Sequence, residues 1–159
     1  MDFHAILVAT DFSECAGAAF KVARNLAQRF GAKLVLLHVI QQGLVTRMAE
    51  HLKVEPGSLL PEFREKAQQH LDEFLQQYQC ADLEVTSMVS VGLPFQEIAV
   101  IARDLAADLI VMGGYGRSGR GPIEEVFFGS TAEKVVRLLP CPVLCVPWES
   151  QAVTGENPP

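Results

Sequence analysis

The residues best suited to chemistry lie just after an apolar run, Leu109-Ile110-Val111-Met112. They read Gly113-Gly114-Tyr115-Gly116-Arg117-Ser118-Gly119-Arg120-Gly121-Pro122. Five of these ten are glycine, two are arginine and none is acidic. A backbone without Cβ atoms can approach a ligand closely, and exposed N–H groups in such turns form nests for anions. Arg117 and Arg120 place positive charge in a chain whose formal net charge is −6. Downstream, Gly129-Ser130-Thr131-Ala132-Glu133 reads as a helix start, with Ser130 and Glu133 spaced as a capping box. A helix start presents unpaired N–H groups and the positive end of the dipole, which suits phosphate. Together the two segments read as a split phosphate cradle. The plainer alternatives are a surface hairpin for the loop and simple capping for Ser130.

Two familiar phosphate motifs do not fit. Gly114 to Gly119 spells GxGxxG, but the dinucleotide fingerprint needs a helix opening within it and an acid at the end of the next strand. Here Arg120-Gly121-Pro122 intervenes, and Val143–Val146 carries no acid. The P-loop pattern GxxxxGK[ST] does not occur. Other reactive residue types read as structural. His38 stands between Leu37 and Val39 with no second ligand spaced for a metal. Ser13 reads as a helix start rather than a nucleophile. Cys15, Cys80, Cys141 and Cys145 form no CxxC pair, which fits free thiols in a reducing cytoplasm.

The elements that must position the cradle alternate in type. His4–Thr10 and Lys33–Ile40 are apolar runs of strand length, and the helix between them carries Cys15, Ala19, Val22, Leu26 and Phe30 at steps of three and four before Gly31 ends it. Leu44, Met48 and Leu52 predict a short helix, broken at Glu55-Pro56-Gly57. Leu60, Phe63, Ala67, Leu71, Phe74 and Tyr78 mark the longest amphipathic helix. Strands follow at Leu83–Val91, Asp108–Met112 and Val143–Val146. Helices lie between them, one entered at Gly92-Leu93-Pro94 and one at Gly129–Leu139. Such alternation predicts an α/β fold, a parallel sheet with helices on both faces. Ligands of such sheets sit beyond the carboxyl ends of the strands, where the strand order reverses. That directs attention to Thr10-Asp11, Val39-Ile40, Val91-Gly92 and Met112-Gly113.

Composition narrows the class. With 159 residues, 49% hydrophobic and 20% charged, the chain reads as one domain able to bury a core without metal or disulfide. Thirteen basic residues against nineteen acidic ones argue against nucleic-acid binding. No apolar run approaches the length of a membrane span, and Met1-Asp2-Phe3-His4 does not open a secretory signal. Residues 1–147 therefore read as the domain, and 148–159, polar and ending in Pro-Pro, as a frayed tail.

Taken in order and spacing, these segments resemble the universal stress protein family over residues 3–147. The resemblance rests on Ile6-Leu7-Val8-Ala9-Thr10-Asp11-Phe12-Ser13, Leu36-Leu37-His38-Val39-Ile40, Gly92-Leu93-Pro94 with Ile98, and Ile110-Val111-Met112-Gly113 followed by Gly116-Arg117-Ser118-Gly119. Gly129-Ser130-Thr131-Ala132-Glu133-Lys134-Val135 and Cys141-Pro142-Val143-Leu144 complete it. The resemblance implies a Rossmann-like five-stranded parallel sheet of order 3-2-1-4-5, and a homodimer joined through Val143–Val146. It implies ATP or AMP, alone or with Mg2+, in a cytoplasmic sensor or regulator of the stress response. By the same likeness Asp11 and the backbone at Val39 receive adenine, with Ala9 and Gly113 near the ribose. Gly116, Gly129, Ser130 and Thr131 hold phosphates, with Arg117 and Ser118 close by, and Thr10 and Met112 belong to the same strand ends. One departure stands out. The family pattern has nine residues between its second glycine and Gly-Ser, whereas twelve separate Gly116 from Gly129. Counting from Gly116 and Gly119 restores nine, but Gly113 directly follows the strand and takes the first-glycine place, which puts the extra residues around Arg120-Gly121-Pro122. A slow ATPase and a protein-interaction module without nucleotide are the rival readings.

Overall fold

The computed structural model describes residues 2–78, 81–114, 130–138 and 140–147. Five strands and five helices follow in the order β1 (Ala5–Ala9), α1 (Glu14–Phe30), β2 (Lys33–Gln41), α2 (Gln42–Leu52), α3 (Pro56–Tyr78), β3 (Val85–Gly92), α4 (Pro94–Asp104), β4 (Leu109–Gly113), α5 (Ser130–Leu138) and β5 (Val143–Val146). All strand pairs are parallel, and the sheet order is β3-β2-β1-β4-β5. This is the expected doubly wound sheet.

The central strands are apolar on both faces because both faces are covered. Ile6, Val8, Leu34, Leu36 and Val111 pack beneath α1 and α3 with Phe20, Ala23, Leu71 and Phe74. Leu7, Leu37, Val39, Ile110 and Met112 pack on the opposite side with Ile98 and Ala102 of α4 and Ala132 and Val135 of α5. The side-chain alternation of a strand makes this division. It also fixes a consequence for function. The connection after β1 leaves on one face and α5, after β4, lies on the other, so the strand order reverses between these two neighbours.

Helix α1 sits closer to the sheet than its large apolar residues imply. Its buried side is Cys15, Ala16, Gly17, Ala19, Phe20, Ala23 and Ala27, which keeps Cys15 and Ala19 of the expected face. Val22 and Leu26 lie at the margin and Phe30 is 47% exposed. The expected face was thus rotated, because four alanines let the helix axis approach the strands while bulkier neighbours cover the flanks. Gly31 ends the helix in the left-handed conformation, φ 64°, with its N–H on the Ala27 carbonyl. Helix α3 starts at Pro56, four residues before its apolar pattern begins. Proline and glycine there occupy a first turn, where a missing N–H costs little.

At the amino ends of the strands the sheet is stitched by a side chain. Asp108 Oδ2 accepts the N–H groups of His4 (2.7 Å) and Ala5 (3.0 Å). Those two N–H bonds hold the Asp108 carboxyl below its ordinary range. Among the described residues, no helix is long and apolar enough to cross a membrane.

Candidate functional site

The carboxyl end of β1 stops before its neighbours do. Pairing of β1 with β2 ends at Ala9 opposite Leu37, extended by the Thr10 N–H on the Leu37 carbonyl at 2.8 Å. β2 continues to Gln41 beside β3. In a parallel ladder one residue sends both its N–H and its C=O to the same neighbour, and the next residue sends them the other way. Lys33 bonds toward β1 and Leu34 toward β3, so Val39 directs its N–H and C=O toward the place β1 has left. The same parity holds in β4. Ile110 and Gly114 donate to Pro142 and Val146 of the β5 segment, at 2.9 and 3.0 Å, so Gly113 directs its backbone toward β1. A crevice edged by main-chain donors and acceptors results, with Val39 on one side and Gly113 on the other.

Between them lies the turn Thr10-Asp11-Phe12-Ser13, whose polar groups are linked in sequence. Thr10 is buried at 6% exposure. Its Oγ1 accepts the Phe12 N–H at 3.0 Å and its carbonyl accepts from His38 Nδ1 at 2.8 Å. A carbonyl can only accept, so the proton resides on Nδ1 of that ring. Asp11 is half-buried, and its Oδ1 accepts the Ser13 N–H at 3.0 Å. Ser13 then caps α1, its Oγ accepting the Ala16 N–H at 3.2 Å. Phe12 bends the chain with φ 65°, a left-handed conformation that costs a non-glycine residue about 1–2 kcal/mol. Its ring is held behind the turn by His38 (centroids 4.5 Å apart), His70 (5.3 Å) and Phe74 (6.1 Å).

Gly113 has a packing reason to be glycine. A Cβ there would stand 2.7 Å from Cys15 Sγ and 3.1 Å from the Cys15 backbone. The missing side chain admits the first turn of α1 against the end of β4. Cys15 is itself buried and donates from Sγ to the Val146 carbonyl at 3.7 Å. Burial pushes the thiols of Cys141 and Cys145 up, so neither is set as a thiolate nucleophile at neutral pH.

The sequence-derived residues divide as follows. Ala9, Thr10, Asp11, Val39, Met112 and Gly113 come together at one edge of the sheet, with Val39 and Met112 buried on the α4 side. Ser130 and Thr131 open α5, exposed and half-buried respectively. A crossover helix between parallel strands runs against them, so these two also stand at the carboxyl edge. Ser130 is the first residue of the helix itself and Glu133 binds Arg137 at 2.8 Å. That i,i+4 ion pair engages the acid of the expected capping box, and the residue before Ser130, on which the cap turns, lies outside the described residues. Gly116, Arg117, Ser118 and Gly129, and with them the expected three-residue enlargement, lie outside the described residues. The frayed-tail expectation for 148–159 falls outside them too. His38 reads as structural from its spacing, and the structure gives it a structural partner, the Thr10 carbonyl. Its signal was a polar side chain in a central apolar strand, at the level where β1 ends.

A model of the universal stress protein family matches residues 2–147. The chain belongs to this family. Universal stress protein MJ0577 of Methanocaldococcus jannaschii is 27% identical over 153 residues, covering 89% of this chain and 93% of the relative. Its solved structure superposes with a TM-score of 0.79 at 28% identity, over 95% of this chain and 100% of that one. A universal stress protein of Thermus aquaticus is 32% identical over 150 residues, covering 91% of this chain and 98% of the relative. The universal stress protein from Archaeoglobus fulgidus, solved in complex with dAMP, shares the fold with a TM-score of 0.62 at 21% identity, over 91% and 98% of the two chains. Among the described residues of this family member, no three His, Cys, Asp or Glu side chains gather as a metal-ligating group.

Proposed function

We propose that this universal stress protein binds an adenine nucleotide, ATP or AMP, alone or with Mg2+, in the crevice between β1 and β4. It then serves as a cytoplasmic sensor or regulator of the stress response. The observation that carries this reading is the pair of main-chain edges at Val39 and Gly113, turned into a crevice at the point where the strand order reverses. A purine ring offers an amino donor beside a ring-nitrogen acceptor, and the Val39 C=O and N–H are its complement. Asp11, at the same edge, accepts from the amino group as well. Ala9 and Gly113 meet the ribose. Gly116, Gly129, Ser130 and Thr131 take the phosphates, with Arg117 and Ser118 supplying charge and hydroxyl, while Thr10 and Met112 form the floor. The Gly114 N–H is spent on Val146, which leaves phosphate recognition to residues beyond it. The dAMP complex of the Archaeoglobus relative supports the nucleotide class by fold. Pairing of two copies along β5 fits an edge strand that leaves Leu144 37% exposed.

The test is to purify the protein without added nucleotide, denature it and identify what is released, then titrate ATP and AMP with and without magnesium. ATP or AMP near one per chain is expected, and Gly129→Val is expected to abolish binding while the protein stays folded. A wild-type protein that releases nothing and ignores added nucleotide overturns the reading and favours a protein-interaction module. Steady ADP production lost in Asp11→Asn would make the protein a slow ATPase instead.

A further inference from the structure

We propose that His38 is a positioning residue of this site, holding the Thr10-Asp11 turn in the geometry that receives the base; the proposal rests on the nucleotide reading above. Three observations converge on it. The His38 Nδ1–H reaches the Thr10 carbonyl at 2.8 Å, from the strand next to β1, across 28 residues of sequence. Thr10 is the pivot of the turn: its N–H, Oγ1 and carbonyl are each engaged, and Asp11 follows directly. The imidazole also lies against the Phe12 ring at 4.5 Å with a 35° tilt, on the residue whose φ of 65° turns the chain. One side chain therefore grips the turn at the residue before Asp11 and the residue after it.

The geometry separates this role from core packing. His38 is only half-buried, between the fully buried Leu37 and the 8% exposed Val39, and its face of β2 is otherwise filled by Leu36 and Ile40. A leucine at position 38 would satisfy an apolar strand and keep the fold. It would not hold the Thr10 carbonyl, and the turn that carries Asp11 would lose its one side-chain tie to β2 among the bonds described.

The experiment uses the full chain and three variants, His38→Leu, His38→Asn and His38→Gln, with AMP titrated by calorimetry and unfolding followed without nucleotide. An asparagine amide stands where Nδ1 stands, whereas a glutamine amide reaches the Nε2 position. Expected is AMP affinity about tenfold weaker in His38→Leu and His38→Gln, the scale of one lost hydrogen bond, and recovery to within about threefold in His38→Asn. Wild-type affinity in His38→Leu overturns the proposal. So does a His38→Asn protein as weak as the glutamine variant, a comparison that stands even if His38→Leu does not fold. If wild-type protein binds no AMP or ATP, the nucleotide reading fails and amide exchange decides the role of His38. Faster exchange at Phe12 and Ser13 in His38→Gln, restored in His38→Asn, upholds positioning, and unchanged exchange overturns it.

Discussion

The two ends of the β1–β4 pair are closed in opposite ways. At the amino end a carboxylate from the entry to β4, Asp108, binds the first two N–H groups of the β1 segment. At the carboxyl end β1 leaves early, and a side chain from β2, His38, holds a turn rather than a strand. The first arrangement ties neighbouring strands together. The second keeps Val39 and Gly113 facing a crevice while fixing the loop between them. Under the proposed function, stability and recognition fall at opposite edges of one sheet. The amino-end contact depends on the charge of a half-buried carboxylate, whereas the carboxyl-end donor, Nδ1–H, is present on the neutral and the protonated ring alike.

The strongest way to break the comparison is to fill the carboxyl end. Gly113→Val should cost about 1–3 kcal/mol of stability, since its Cβ meets Cys15 Sγ and backbone together. Urea unfolding measures the loss, and adding Cys15→Ala should restore part of it. The backbone contact at 3.1 Å remains in the double variant, so full recovery would show that Sγ alone sets the glycine. Next in size is Ser13→Ala, which removes the α1 cap and should cost about 1 kcal/mol in the same measurement. The smallest effect belongs to Asp108→Asn. It should lower the melting temperature without changing nucleotide affinity, the reverse of the pattern expected for His38→Leu. Because the folded-state carboxyl lies below its ordinary range, its contribution is present above the unfolded-state value and is lost as pH falls through the folded one. The gap between wild type and Asp108→Asn should therefore close in acid. A gap that widens there would contradict the origin assigned to the shift.

Much of this arrangement was legible in the sequence, for physical reasons. Fully covered parallel strands must be apolar on both faces, so His4–Thr10, Lys33–Ile40 and Asp108–Met112 read as strands, and parallel neighbours required crossover helices. The glycine at 113 was legible as a special position. Its packing reason was not, because Cys15 lies ninety-eight residues away in the chain, and nothing local records that approach. The helix phase of α1 was misjudged for a related reason: alanine is a weak apolar signal, yet four of them set the contact. Spacing likewise does not show that Glu133 has Arg137 as a partner one turn on. His38 and Asp108 were unreadable in the same sense. Each acts through a partner distant in sequence, and a lone polar residue beside apolar ones has many explanations until the register of β1 against β2 and β4 is known.

The central claim is that the crevice beside Val39 and Gly113 receives the nucleotide. Amide NMR of the full chain during titration with AMP tests it most directly. The account predicts saturable shifts at Thr10, Asp11, Ser13, Val39 and Gly113, with the outward side of α3 unmoved. Shifts confined to other surfaces, or none at saturating AMP, would contradict it.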